Sequence, residues 1–307
     1  MNTVKKWAIA TRLATIPLAL ATVSLGSALA AFTGTFSWQV GGLAVLTASL
    51  LQIVCNLAND YGDSVHGADP INEIKLPSAI QTGLVTLAQA RQALQWLVGA
   101  TGVFGTLLLY SAKLSPAGMG VFMLLRTLAI IAAITYTMGS QPYGYKGWGD
   151  VSVLIFFGLV GVGGTFYLHT QALSSVWLLP AISHGSLVVG VLNVNNIRDI
   201  VTDAQVGKQT LAVRIGKKAA LRYHWCLLAT SMGAALVFLF LHAKRYWHYA
   251  AFMGGFYLLV KHGIAISRQA PDKLNNQLHH WFCLSLDFYS AIMRGFISLQ
   301  MHSELPQ

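Results

Sequence analysis

The stretch from Trp38 to Asp69 reads WQVGGLAVLTASLLQIVCNLANDYGDSVHGAD. Its first part is an apolar run, and its end places three Asp residues, Asp60, Asp63 and Asp69, close together. An apolar segment of about 20 residues is long enough to cross a bilayer as a helix. Because the whole chain has only 10 acidic residues, this grouping at the end of a predicted span is notable. The stretch therefore predicts a membrane helix that ends in carboxylates.

The composition supports a membrane protein. The chain has 307 residues, of which 55% are hydrophobic and 10% are charged, whereas a soluble domain usually has about 25% charged residues. The net charge of +10 does not indicate nucleic-acid binding, since the basic residues lie in short gaps between apolar runs rather than in one stripe. The three cysteines are isolated, which argues against a disulfide framework or a zinc site. We therefore predict an all-α membrane protein with a single domain over residues 1–307.

Nine windows are long and apolar enough to be membrane-spanning helices. They are 12–32, 38–58, 94–112, 117–138, 151–169, 175–195, 223–242, 247–267 and 280–300. The first window follows basic residues and resembles a signal peptide, but with many more spans after it we interpret it as an uncleaved first helix.

The connections between these spans alternate in charge. Lys and Arg are concentrated on the side that includes the N-terminus, so the positive-inside rule predicts a cytoplasmic N-terminus. The same side receives two long connections, 59–92 and 196–222. Long loops commonly carry function, which predicts that the functional side faces the cytoplasm.

A second acidic cluster ends the sixth predicted span. The segment 195–203 reads NNIRDIVTD, and Asn195, Asp199 and Asp203 are each four residues apart, so on a helix they share one face. Asn59 and Asp63 have the same spacing in the first cluster. This partial repetition is consistent with a duplicated four-helix unit plus one further helix.

Two facing clusters of this kind favour divalent metal chemistry. Mg²⁺ is typically held by one or two carboxylates together with phosphates and water, so opposed clusters can join protein, metal and a diphosphate. We predict Asp60, Asp63, Asp199 and Asp203 as catalytic metal ligands, with Asn59 and Asn195 completing or orienting the shell. The competing interpretation is that these residues are helix caps and solvated loop charges.

Several other polar residues are candidates for substrate binding. Lys208, in GKQTLAVRIGKK, can offset the charge of a metal-bound diphosphate. Arg126 lies inside the fourth span, where a charge is a site candidate by default, although snorkelling or pairing explains it equally well. Tyr143 and Lys146 belong to a polar aromatic loop that either lines the site or lies at the membrane interface.

These motifs resemble a known family. NDYGD at 59–63 and NNIRDIVTD with GKQTLAVRIG at 195–216 are similar to motifs of the UbiA superfamily of intramembrane aromatic prenyltransferases. YTMGSQPYGYKGWGDVSVLIFFG at 136–158 is similar to the branch that prenylates 1,4-dihydroxy-2-naphthoate. The resemblance implies about nine helices around a central cavity that opens to the cytoplasmic side and sideways to lipid. It also implies Mg²⁺ dependence, a polyprenyl diphosphate donor, and location in a bacterial inner membrane.

The implied reaction removes diphosphate from the donor and joins its allylic carbon to the ring, whose carboxylate leaves as CO₂ to give demethylmenaquinol. The chain departs from the family pattern at Gly67, where many members have Asp, and at Lys75, where naphthoate-type relatives often have Arg nearby. Alternatives are another acceptor such as 4-hydroxybenzoate, homogentisate or a porphyrin-type ring, a secondary transporter, and a structural subunit of a membrane complex. The sequence leaves the oligomeric state open.

Overall fold

A computed structural model of the chain describes residues 3–67, 78–172, 174–243 and 246–268. All regular structure in these ranges is helical. The α-helices are α1 (Thr3–Ala10), α2 (Ile16–Phe32), α3 (Trp38–Val65), α4 (Leu87–Ser111), α5 (Pro116–Thr135), α6 (Gly149–Val153), α7 (Gly164–Thr170), α8 (Leu178–Arg198), α9 (Ile200–Gln205), α10 (Leu211–Ile215), α11 (Lys217–His242) and α12 (Tyr246–Arg268). Leu13–Thr15 and Tyr143–Lys146 form 3₁₀ turns, and a π-helical segment, Leu154–Gly163, joins α6 to α7.

Eight helical segments of the described residues are long and apolar enough to cross a membrane. They are Leu13–Phe32, Trp38–Val65, Leu87–Ser111, Pro116–Thr135, Gly149–Thr170, Leu178–Arg198, Lys217–His242 and His248–Arg268. The first eight predicted windows are thereby confirmed as helices, and the all-α class is confirmed. The ninth window, 280–300, lies outside the described residues.

The helices extend beyond the predicted windows at the end of the bundle that carries the acidic residues. Helix α3 continues to Val65 and α4 already begins at Leu87, so the predicted loop 59–92 is much shorter. The start of α4 is fixed by a capping box in which Thr86 and Gln89 satisfy each other's backbone N–H groups. A window that counts apolar residues cannot detect such polar turns. Asp69 and Lys75 lie outside the described residues.

The predicted loop 196–222 is also largely helical. Helix α8 runs to Arg198, the short helices α9 and α10 follow, and α11 begins at Lys217. Thr210 caps α10 by accepting a hydrogen bond from the Val213 N–H, at 3.4 Å. The second acidic cluster is therefore built into a folded connection rather than an open loop.

Helix α8 is the most buried span, with 72% of its apolar window inside the protein. It packs on α11 and on the π-helical segment, and at Gly185 a Cβ atom would lie only 3.0 Å from the Cα atom of Gly158. Small residues permit this close approach of membrane helices. By contrast α5 has no buried residue, as expected of a helix at the edge of the bundle. The buried α8 thus fixes the place of Asp199, which directly follows it, within the bundle.

Candidate active site

The first acidic motif occupies the last two turns of α3. Asp60 and Asp63 are both buried, with 1% and 5% of their surface exposed. Asn59 Oδ1 accepts a hydrogen bond from Thr137 Oγ1 at 3.1 Å. The contact with Thr137 requires Gly62, since a Cβ atom there would lie 2.5 Å from the Thr137 carbonyl oxygen. The motif is therefore packed against the chain that leaves α5.

Arg12 forms an ion pair with Asp60. The segment that contains Arg12 is held against α3 by Asn56, whose Nδ2 donates to Thr11 O at 2.9 Å and to Thr15 Oγ1 at 2.8 Å. Arg12 itself has the left-handed backbone conformation, with φ of 48°. The sequence did not predict this contact, because nothing in the spacing of Arg12 connects it to Asp60, 48 positions away.

Asp63 binds residues from two other parts of the chain. Its Oδ1 accepts a hydrogen bond from the Tyr145 hydroxyl at 2.7 Å and lies 3.6 Å from Lys208 Nζ. The Tyr145 ring packs against His66, with ring centroids 5.5 Å apart. Tyr145 lies between Tyr143 and Lys146 in the polar aromatic loop, but it was not among the predicted substrate-binding residues.

The second acidic motif lies across a helix break. Helix α8 ends at Arg198, and Asp199 joins it to α9, so the three residues of the predicted ladder lie on two consecutive helices. The helical spacing nevertheless survives, because Asp199 N–H donates to Asn195 O at 3.0 Å and Asp203 N–H donates to Asp199 O at 2.8 Å. Arg198 binds Asp199 through Nε at 2.7 Å and Nη2 at 2.6 Å.

Lys208 connects the two motifs. Gly207 ends α9 with φ of 76°, a conformation that favours glycine, and Lys208 N–H then donates to Asp203 O at 2.8 Å. Lys208 Nζ lies 3.9 Å from Asp203 Oδ1 and 3.6 Å from Asp63 Oδ1. The two carboxylates can be no farther apart than the sum of these distances, so Asp63 and Asp203 share one small region.

The loop around Tyr145 is hydrogen-bonded to residues that follow Lys208. Gln209 N–H donates to Tyr145 O at 2.8 Å, and Arg214 donates to Lys146 O at 2.7 Å and to Gln209 O at 3.1 Å. Three segments that are distant in sequence, the end of α3, residues 143–147 and residues 199–214, therefore meet as one unit. We call this unit the acidic end of the bundle.

The side chains of Tyr143 and Lys146 have local partners in the described residues. The Tyr143 hydroxyl donates to Ala132 O at 2.9 Å and lies 2.9 Å from Ser152 Oγ, and burial raises the pKa of Tyr143. Lys146 is exposed and donates to Gln141 Oε1 at 2.6 Å. Their predicted roles in substrate binding stay predictions, and their observed contacts support the loop.

Arg126 lies between α4 and α5, where it donates to Gly102 O at 3.0 Å and to Thr106 Oγ1. In the described residues it has no recorded hydrogen bond or ion pair with the acidic motifs, so its predicted role in substrate binding stays a prediction. Asn195 is half-buried one turn before Asp199, and its predicted role in completing or orienting the metal shell stays a prediction.

A family model described as the UbiA prenyltransferase family matches residues 19–284. The chain belongs to this family. It is 42% identical over 285 residues to the 1,4-dihydroxy-2-naphthoate octaprenyltransferase of Haemophilus influenzae, covering 92% of each chain. It is also 42% identical over 263 residues to the Escherichia coli protein of the same name, covering 86% of this chain and 85% of that one.

Solved structures of UbiA homologues share the fold. The apo structure from Aeropyrum pernix has a TM-score of 0.65 at 16% identity, covering 95% of this chain and 98% of that one. A homologue from Archaeoglobus fulgidus, solved with GPP and Mg²⁺, has a TM-score of 0.65 at 17% identity, covering 95% and 99%. This UbiA-family chain therefore has the fold of these UbiA homologues.

The donor groups at the acidic end are suited to Mg²⁺. Asp60, Asp63, Asp199 and Asp203 offer carboxylate oxygens, and Asn59 offers an amide oxygen. Among the described residues, no three Asp, Glu, His or Cys side chains converge on one metal position. One or two of these carboxylates, with phosphate and water as the remaining ligands, would hold Mg²⁺ in its usual way.

Proposed function

We propose that this UbiA-family chain transfers a polyprenyl group from polyprenyl diphosphate to 1,4-dihydroxy-2-naphthoate, with loss of diphosphate and CO₂, in menaquinone biosynthesis. The observation that carries the proposal is the 42% identity to the Haemophilus influenzae naphthoate octaprenyltransferase across 92% of both chains. Identity spread over the full length supports a shared acceptor as well as a shared fold. The product is demethylmenaquinol.

The geometry of the acidic end supports the donor half of the reaction. Asp60, Asp63, Asp199 and Asp203 would hold Mg²⁺, which when bound supplies positive charge to stabilise the leaving diphosphate. Lys208 lies within reach of both motifs and can donate to diphosphate oxygens. Asn59 and Asn195 would complete or orient this set. The allylic C–O bond breaks with its electron pair leaving on the diphosphate.

Other residues of the chain prepare the site. Tyr145 holds Asp63 through its hydroxyl, and Arg12 and Arg198 fix the orientation of Asp60 and Asp199. The ring carbon that carries the carboxylate bonds to the allylic carbon, and the electron pair of the C–CO₂ bond returns to the ring as CO₂ leaves. The apolar spans provide the dry surroundings that keep water from the allylic cation.

We also propose that the chain resides in the bacterial inner membrane with a cytoplasmic N-terminus and the acidic end on the cytoplasmic side. The distribution of Lys and Arg supports this orientation. A polyprenyl tail is a lipid, so the proposed donor enters from the bilayer, through a cavity that opens sideways to lipid. A single catalytic domain over residues 1–307 is consistent with this arrangement.

The test is prenyl transfer by the purified full-length chain in detergent, with and without Mg²⁺. We expect release of CO₂ and prenylated product from 1,4-dihydroxy-2-naphthoate, loss of both on chelation, and recovery when Mg²⁺ is restored. 4-Hydroxybenzoate and homogentisate serve as matched alternative acceptors. Transfer to either of them in preference to the naphthoate would contradict the acceptor assignment, and absence of transfer to any ring would contradict the reaction class.

A further inference from the structure

The proposed ligand carboxylates already have basic partners. Arg12 pairs with Asp60, Arg198 with Asp199, and Lys208 with both Asp63 and Asp203. Among the ion pairs of the described residues, Lys208 is the basic residue that contacts both acidic motifs. Any divalent cation that enters the acidic end therefore meets positive charges that are already present.

Lys208 and Arg198 hold their carboxylates in different ways. Arg198 binds Asp199 with two contacts of 2.6 and 2.7 Å, which is the paired geometry of a strong, charge-assisted interaction. Lys208 Nζ lies 3.6 and 3.9 Å from its two carboxylates, longer than a direct charge-assisted hydrogen bond of about 2.7–2.9 Å. The ammonium thus occupies the space between Asp63 and Asp203 without the fixed two-bond geometry of Arg198.

The backbone of Lys208 is fixed, whereas its side chain can move. Gly207 and the bonds from Lys208 N–H to Asp203 O and from Gln209 N–H to Tyr145 O hold the loop. The side chain is 16% exposed, and its four-carbon stem is flexible. Its ammonium lies 4.9 Å from the centre of the Tyr145 ring. A short movement would carry the charge from the carboxylates to a neighbouring anion while the loop stays in place.

We propose that Lys208 is a displaceable counter-ion that makes binding of the divalent cation depend on binding of the diphosphate. This inference rests on the proposed function, since it needs a site that takes both. A metal ion that binds Asp63 and Asp203 has to displace the ammonium from these two carboxylates. A diphosphate bound beside them offers the ammonium phosphate oxygens instead, so Lys208 moves from Asp63 and Asp203 to the diphosphate as the metal takes its place. Each ligand therefore strengthens binding of the other by the same factor.

The experiment measures Mn²⁺ binding to the full-length chain in detergent by electron paramagnetic resonance, with and without methylenebisphosphonate, a diphosphate analogue that is not cleaved. For the unmodified chain, we expect weak binding of Mn²⁺ alone and binding at least about tenfold tighter with the bisphosphonate, given the size of the coupling between charges at this separation. No coupling between the two ligands would overturn the inference.

The variant Lys208→Met removes the ammonium and keeps most of the side-chain volume. We expect it to bind Mn²⁺ alone about tenfold tighter than the unmodified chain, because the competing charge is absent, and to lose most of the enhancement by bisphosphonate. Lys208→Arg keeps the charge and should retain strong coupling. Lys217→Met is the matched control. It makes the same change in net charge at an exposed position without a recorded acidic partner in the described residues, and its Mn²⁺ affinity should change by less than about twofold.

Two failures are distinguishable. If the unmodified chain binds no Mn²⁺ in the presence of bisphosphonate, the proposed function and this inference both fail. The second failure concerns Lys208 alone. In that case the unmodified chain binds the two ligands together, but a Lys208→Met variant whose thermal transition shows that it is folded binds Mn²⁺ alone no more tightly than the unmodified chain. Only the counter-ion role is then overturned. Should Lys208→Met not fold, Lys208→Gln is measured in its place, and the coupling in the unmodified chain remains an independent test.

Discussion

The two acidic motifs are similar in sequence but are built in different ways. The first is part of one continuous helix, α3, and its partners come from far along the chain: Arg12 for Asp60, and Tyr145 and Lys208 for Asp63. The second lies across a break at Asp199, and its recorded partners are close in sequence: Arg198 is the adjacent residue, and Lys208 follows Asp203 by one short turn.

In these contacts the second motif is held by neighbours in sequence, while the first is held by segments that only tertiary structure brings near. The local partners of Asp199 and Asp203 are present as soon as α8, α9 and the Gly207 turn form. Asp60 and Asp63 acquire their partners only when the N-terminal segment and residues 143–147 have packed against α3. We therefore expect remote substitutions to affect the first motif more strongly than the second.

The largest effect is expected from removing one proposed ligand charge in each motif. Asp63→Asn and Asp199→Asn should each lower the rate of prenyl transfer by at least about 100-fold, because each removes electrostatic stabilisation of the leaving group. The measurement is turnover of 1,4-dihydroxy-2-naphthoate at saturating Mg²⁺. Asp150→Asn is the control, since Asp150 is a buried carboxylate that forms no ion pair among the described residues. Full activity in either motif variant would contradict its role as a ligand.

Arg12→Gln tests the dependence of the first motif on a remote partner. It removes the ion pair between Arg12 and the buried Asp60 carboxylate. Breaking a fully buried pair costs about 3–5 kcal/mol, but the Arg12 side chain is 35% exposed, so we expect about 1–3 kcal/mol. Activity should fall about tenfold, in keeping with a lost charge interaction beside the site. The thermal transition and turnover are measured together.

Arg12→Lys is the control for this prediction, because it keeps the charge and should recover much of the stability. Lys6→Gln removes a nearby charge whose partner is Gln89 rather than an acid, and it should have little effect. An unchanged thermal transition in Arg12→Gln would show that the first motif does not depend on its N-terminal partner.

Two buried asparagines, one beside each acidic motif, allow the effect of a lost neutral hydrogen bond to be compared between the two motifs. Asn56 Nδ2 donates to Thr11 O at 2.9 Å beside the first motif, and Asn193 Nδ2 donates to Ala220 O at 3.1 Å beside the second. Replacing either with Ala leaves a carbonyl without its donor and should lower stability by about 1–2 kcal/mol. We expect Asn56→Ala also to raise the KM for the donor, because it loosens the Arg12 segment. An equal rise in the KM for the donor in Asn193→Ala would contradict the proposal that the first motif depends more on remote segments than the second.

The smallest effect is expected at the loop that joins the two motifs. Tyr143→Phe removes a hydroxyl that binds Ala132 O and lies near Ser152, so turnover should fall by less than about threefold, the range of one neutral hydrogen bond. Because burial raises the pKa of Tyr143, the hydroxyl stays protonated through neutral pH. The pH profile between pH 6 and 9 should therefore be the same in both proteins. A profile that changes on this substitution would indicate a direct catalytic role.

The sequence alone determined the class of the protein and most of its spans. In a bilayer, the backbone N–H and C=O groups of a long apolar run must find their hydrogen-bond partners within the protein, and a helix provides them. The eight spans therefore follow from composition and length. The spacing of Asn195, Asp199 and Asp203 and the grouping at Asp60 and Asp63 were also visible in the sequence. These features depend on residues that are near one another in the chain.

Only the tertiary structure decided which side chains meet the acids. Arg12, Tyr145 and Lys208 reach Asp60 and Asp63 because helix packing brings distant segments together, and no periodicity in the sequence records those contacts. Helix ends were missed for a related reason, since the polar turns of α3 and α4 are stabilised by caps and partners that a count of apolar residues ignores. Local hydrophobicity thus fixed the spans, while packing of distant polar groups fixed the site.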